Sequence, residues 1–173
     1  MVLGMSLATF TALHVVVSLV GIVAGVVVLA AMLNSREPAG WTALFLAATV
    51  LTSVTGFLFP ATGFTPGQAI GIVSLVALAL ALFALYGRRL GGAWRWIYVV
   101  TALLALYLNC FVAVVQSFQK LSFLSALAPT QSEAPFQAAQ LLLLAIFIAA
   151  AVFALRKFHP EGRPSVALKA STP

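Results

Sequence analysis

The stretch Trp94–Lys120, WRWIYVVTALLALYLNCFVAVVQSFQK, decides the fold. At about 1.5 Å rise per residue it makes a helix of roughly 40 Å, enough to cross a hydrocarbon core of about 30 Å and protrude. Thr101, Ala105, Asn109, Ala113, Gln116 and Lys120 recur along it every three or four residues. Small and polar side chains therefore share one stripe, while Leu, Val, Ile and Phe occupy the remaining surface. Such a stripe needs protein or water beside it, and the other apolar segments of the chain must supply that environment.

Composition sets the solvent. Of 173 residues, 63% are hydrophobic and 7% are charged, and the mean hydropathy is +1.14. No soluble domain could bury that much apolar surface, so the solvent is lipid. The net charge of +6 and a pI near 10.3 would suggest nucleic acid in a soluble protein. Here the basic residues are divided among short loops, where they read as topology determinants, and no nucleic-acid partner is expected. The single cysteine, Cys110, excludes an intramolecular disulfide and a dithiol redox centre.

Working outward from the long helix, four more spans can be read. The first, residues 6–33, has no basic region ahead of its apolar run and is too long for a cleaved signal segment. Thr11, His14, Ser18, Gly21 and Gly25 lie on one face of it, including a small-xxx-small pair. The second, residues 41–59, repeats the pattern with Thr49, Thr52, Ser53 and Gly56 and is ended by Pro60. The third ends near Gly87 and carries Gly67, Gly71, Ser74 and Ala77 on a second GxxxG-type face. After the long fourth helix, residues 117–128 read as a short amphipathic helix on the membrane surface, with Phe118, Leu121, Leu124 and Leu127 at helical spacing. The fifth span, residues 136–157, ends at Arg156 and Lys157. The expected architecture is an all-α, polytopic membrane bundle of five transmembrane helices in residues 1–157, followed by a mobile cytoplasmic tail, residues 158–173.

With five spans, Arg36, Arg88, Arg89, Arg95, Arg156, Lys157, Arg163 and Lys169 all fall on the side of the C-terminus, leaving Lys120 alone opposite. The positive-inside rule then puts the N-terminus outside, the C-terminus in the cytoplasm and the protein in the plasma (inner) membrane. Trp41, Tyr86, Trp94 and Trp96 fall at the same cytoplasmic boundary, as an aromatic belt should. Counting rise from the outer helix ends places His14, Thr52, Ser53 and Asn109 about 10 to 15 Å below the outer boundary, with Gln116 and Gln140 nearer to it.

The candidate ligand-binding set is therefore His14, Thr52, Ser53, Asn109, Gln116, Gln140 and Lys120, expected to converge on one polar cavity or hydrogen-bond network in the outer leaflet. The commoner use of such residues is plain contact between helices, and each member must be weighed against it. Chemistry is constrained more by what is missing. There is no Asp, and Glu37, Glu133 and Glu161 all lie in loops or the tail. An intramembrane carboxylate for ion coupling, a paired acid and base, and a Ser-His-Asp triad are thus absent. Bis-histidine haem ligation fails because His159 lies at the opposite face, about 35 Å from His14 by helix rise. A Cu(I) site from Met1, Met5, His14 and Cys110 matches no ligand spacing. No cofactor, metal or catalytic residue is expected. The chain reads as a non-catalytic membrane protein, either an accessory subunit of a larger membrane complex or a binder of a lipid or quinone. The alternative is an oligomeric channel or transporter whose pores use the glycine faces of helices one and three. An enzyme using His14 is a distant third.

Overall fold

The structure, a computed structural model, describes residues 2–160. It is an all-α bundle with the order α1 (Leu7–Leu33), α2 (Ala39–Gly56), α3 (Pro66–Leu82), α4 (Trp94–Lys120), α5 (Ser122–Leu127) and α6 (Ala134–Lys157). Five of these, α5 excepted, are long and apolar enough to cross a membrane. Among the described residues there is no β-strand, only an isolated bridge between Val2 and Met5.

Local chemistry explains several of the helix ends. Ser6 caps α1, its hydroxyl accepting from the Thr9 amide at 3.1 Å. Thr65 and Gln68 form a capping box ahead of α3, with Pro66 at the first position, where its missing N–H costs nothing. The last turn of α3 widens into a π-helical turn at Phe83–Gly87. Ahead of α6 the Glu133 carboxylate closes a small loop, accepting from the Thr130 hydroxyl at 2.8 Å, the Thr130 amide at 3.1 Å and the Ser132 amide at 3.1 Å. The bond from the Thr130 hydroxyl holds the Glu133 carboxyl below its usual range.

Two boundaries differ from the sequence reading. Helix α2 stops at Gly56, short of residue 59, because Phe57 and Leu58 turn back on the carbonyls of Val54 and Thr55. The Phe57 ring then packs on Gly71 of α3, where an added Cβ would lie 3.0 Å from it. The surface helix is also shorter than residues 117–128. Phe118 belongs to α4 and is buried, and α5 begins only after Leu121 leaves the helical region with ψ 115°.

Helix α4 is the hub, packing on α1, α2, α3, α5 and α6. Tyr98, Val99, Ala102, Ala105 and Leu106 are buried along it and form the core with Ala24 and Val28 of α1, Phe45 and Leu46 of α2, and Leu78 and Ala81 of α3. Among the described residues helix α6 packs chiefly on α4 and α1 and leaves Leu141, Leu142, Ile146, Ile148 and Phe153 exposed, as lipid-facing side chains are. Its basic end is nonetheless fastened. Phe158, placed by the sequence at the start of a tail, is fully buried against the Tyr98 ring at 6.0 Å. Arg95 donates to the Phe158 carbonyl at 2.5 Å, and the His159 amide donates to the Ser35 hydroxyl at 2.8 Å. Of the expected tail, residues 161–173 lie outside the described residues.

Candidate functional site

Small residues bring α1 against α2 and α4. A Cβ on Gly25 would fall 2.5 Å from Leu106 Cδ1 and 2.9 Å from the Phe45 ring. One on Gly21 would meet Thr49 Oγ1 at 3.2 Å and Asn109 Nδ2 at 3.3 Å. Close approach is what the glycines provide. The glycine face of α1 is thus used inside the bundle, as are Ser74 and Ala77 of α3.

Toward the Lys120 end of this seam lies a hydrogen-bonded imidazole. His14 Nδ1 is 2.8 Å from Thr55 Oγ1 of α2. Thr55 also reaches the Leu51 carbonyl at 2.7 Å, the back-bond usual for a helical threonine. Ser18, one turn along α1, donates to the His14 carbonyl at 2.9 Å and lies 3.3 Å from Thr52 Oγ1. The Phe59 ring stands edge-on to the imidazole with centroids 5.1 Å apart, and Phe10 packs on Phe59 at 5.0 Å, giving the polar pair an apolar wall. His14 is half-buried, and Lys120 is close enough to act on it electrostatically.

The remaining sequence-selected residues are distributed over other interfaces. Ser53 bonds Ser74 of α3 at 3.2 Å, on a different face of α2 from Thr55. Asn109 is buried next to Gly21 and Thr49, its Nδ2 without a hydrogen-bond partner. Gln140 of α6 donates to the Phe111 carbonyl at 3.4 Å, and its Oε1 is buried unpaired. Gln116 and Lys120 are exposed at the end of α4. His14, Ser18 and Thr52 therefore form one connected group, with Lys120 nearby, while Ser53, Asn109 and Gln140 act at contacts between other pairs of helices.

Two polar positions escaped the sequence reading. Thr55 carries the bond to His14, and its place three residues after Thr52 on the same helical face was the available signal. Thr42, seven residues before Thr49, extends the same stripe toward the basic end. There it is fully buried and interacts with the equally buried Tyr98, although neither hydroxyl has a hydrogen bond of ordinary geometry. Among the described residues no three His, Cys, Asp or Glu side chains gather as a metal site would require. No family model, curated protein or solved structure matches the chain.

Proposed function

We propose that this multi-pass protein of the plasma (inner) membrane is a non-catalytic binder of a lipophilic molecule with a polar head, a lipid or a quinone, held against His14 in the outer leaflet. The observation that carries this reading is a half-buried imidazole with one nitrogen committed to Thr55 at 2.8 Å. The Thr55 hydroxyl proton is spent on the Leu51 carbonyl, so Nδ1–H donates to Thr55 Oγ1 and the bare Nε2 lone pair remains to accept from a hydroxyl of a lipid or of a quinone in its reduced form. Phe59 and Phe10 provide the apolar wall that a lipophile needs, and Lys120 adds a cation at the rim. Gly21 and Gly25 are spent inside the bundle, which takes the glycine face of α1 away from the two on which an oligomeric pore would draw and favours the binding reading.

Comparison of His14→Ala with Asn109→Ala tests the reading, with native mass spectrometry of gently extracted protein run alongside thermal melting. Removal of an interhelical polar contact in a membrane costs about 0.6 kcal/mol on average and up to roughly 2. His14→Ala is expected to stay folded and lose the co-purifying lipid or quinone, whereas Asn109→Ala, which breaks no hydrogen bond across helices but deletes a buried side chain beside Gly21, melts lower through the cavity it leaves and keeps it. If both variants melt lower and retain everything that wild type retains, His14 is a contact between helices and the binding reading is wrong.

A further inference from the structure

At the basic end, α3 and α4 are joined by Arg88–Ala93, and this connection encloses a depression of about 520 Å³ lined by Arg88, Arg89, Gly91, Gly92 and Trp94 among others. No carboxylate contributes to the lining. Its shape follows from a chain of contacts that begins with a glycine. Gly87 closes the π-helical turn, and a Cβ there would lie 2.9 Å from the Phe83 ring, so only glycine lets that ring fold down over the turn. Phe83 in turn meets the Trp94 indole edge-on at 5.0 Å, and the Arg88 guanidinium stands 5.5 Å from the centre of that indole. A cation–π contact orients the guanidinium while leaving its charge and N–H groups available. The backbone N–H groups of Arg89, Gly92 and Ala93 have no partner among the described residues and add further donors around the same hollow.

Two guanidiniums and unspent amides around a concave surface without counter-charge match the needs of a phosphate ester, which takes forked N–H donors. We infer that this hollow binds the phosphate of an anionic lipid headgroup. A lipid fits better than a free phosphate because exposed Tyr86 and Trp96 stand on either side of this connection in the chain, at the same end of the bundle, as residues at headgroup depth do. From it an apolar strip runs along α3 through the exposed Phe83, Leu80 and Val76, where an acyl chain can lie. The inference is independent of His14, which sits at the other end of the bundle.

The test is native mass spectrometry of the full chain from micelles holding equal phosphatidylglycerol and phosphatidylcholine, comparing wild type with Arg88→Gln/Arg89→Gln and with Arg156→Gln/Lys157→Gln. The two variants remove the same charge at the same end of the bundle. Each guanidinium lost takes its forked donors to the phosphate with it, so the Arg88/Arg89 variant is expected to retain phosphatidylglycerol on the order of tenfold less, with its selectivity over phosphatidylcholine gone. The Arg156/Lys157 variant is expected to match wild type. Equal losses in both variants would mean diffuse attraction to a basic surface, and unchanged retention in the Arg88/Arg89 variant would mean no site; either result overturns the proposal. Displacement of the lipid by millimolar inorganic phosphate would also overturn it, by assigning the hollow to the free ion. Circular dichroism at matched temperature confirms that the compared variants are folded, as expected for exposed arginines.

Discussion

At the scale of single residues, the bundle depends on side chains that are absent. Gly25 sits where a methyl group would meet Phe45 and Leu106, two fully buried core residues. Gly40, near the start of α2, has open space in the same position. Gly25→Ala is expected to cost about 1 to 3 kcal/mol through overpacking. Gly40→Ala is expected to be neutral or stabilising by about 0.5 to 1 kcal/mol, since alanine restricts the unfolded chain and favours helix. Reversible unfolding in mixed micelles reads both, and equal stabilities would contradict the packing described at Gly25. The small-xxx-small spacing made Gly21 and Gly25 legible in the sequence as an interface. Their partners were not legible, because periodicity assigns a residue to a face and says nothing about the neighbour facing it. Asn109 and Ser53 illustrate the point. Both lie on the stripes expected from spacing, yet one sits unpaired beside Gly21 and the other bonds α3.

At the scale of elements, α6 is the least enclosed span, and its basic end is held by a few contacts. Arg95 caps the Phe158 and Leu155 carbonyls, while the Phe158 ring is buried beside Tyr98. Phe158→Ala is expected to cost about 3 to 5 kcal/mol as a deletion from a closed core. Arg95→Ala removes a charge-assisted cap worth about 1.5 to 3 kcal/mol. In hydrogen exchange, Arg95→Ala should speed the amides of residues 155–159 and leave those of the α4 centre unchanged; acceleration throughout α4 would show that Arg95 holds more than the end of α6. The sequence placed residue 158 in the tail because HPEGRP follows it, and a single buried aromatic ahead of such a run carries no periodic signal. The other end of α6 responds to acid. The folded value of Glu133 is lowered by the Thr130 hydroxyl, so the loop contact is fully present above the ordinary value of 4.5 and is lost as pH falls through the lowered one. The Thr130 amide resonance is expected to titrate with a midpoint below 4.5 and to stop titrating in Glu133→Gln. A midpoint at or above the ordinary value would mean that the carboxylate does not close the loop.

At the scale of the whole molecule, the four other spans converge on α4, whose stripe of Thr101, Ala105 and Asn109 is buried while Gln116 and Lys120 emerge at its end. The number of spans was readable in the five apolar segments and the placing of basic residues between them, and the central place of this helix in its length and polar stripe. The sides of the membrane were inferred from the basic residues alone. The long range of the charge asymmetry, Arg36 to Lys157 on one end against Lys120 on the other, also makes the arrangement open to a decisive check. Single cysteines placed at Asn34, Thr62 and Ser132 in a Cys110→Ala background, probed in intact cells with a reagent that cannot cross the membrane, report every turn that matters. Labelling at Thr62 and Ser132 from outside, with Asn34 reactive only after the membrane is breached, is the expected result. Thr62 and Ser132 on opposite sides would contradict the five-span bundle itself, and Asn34 alone reacting from outside would invert the orientation and move the His14 site to the inner leaflet.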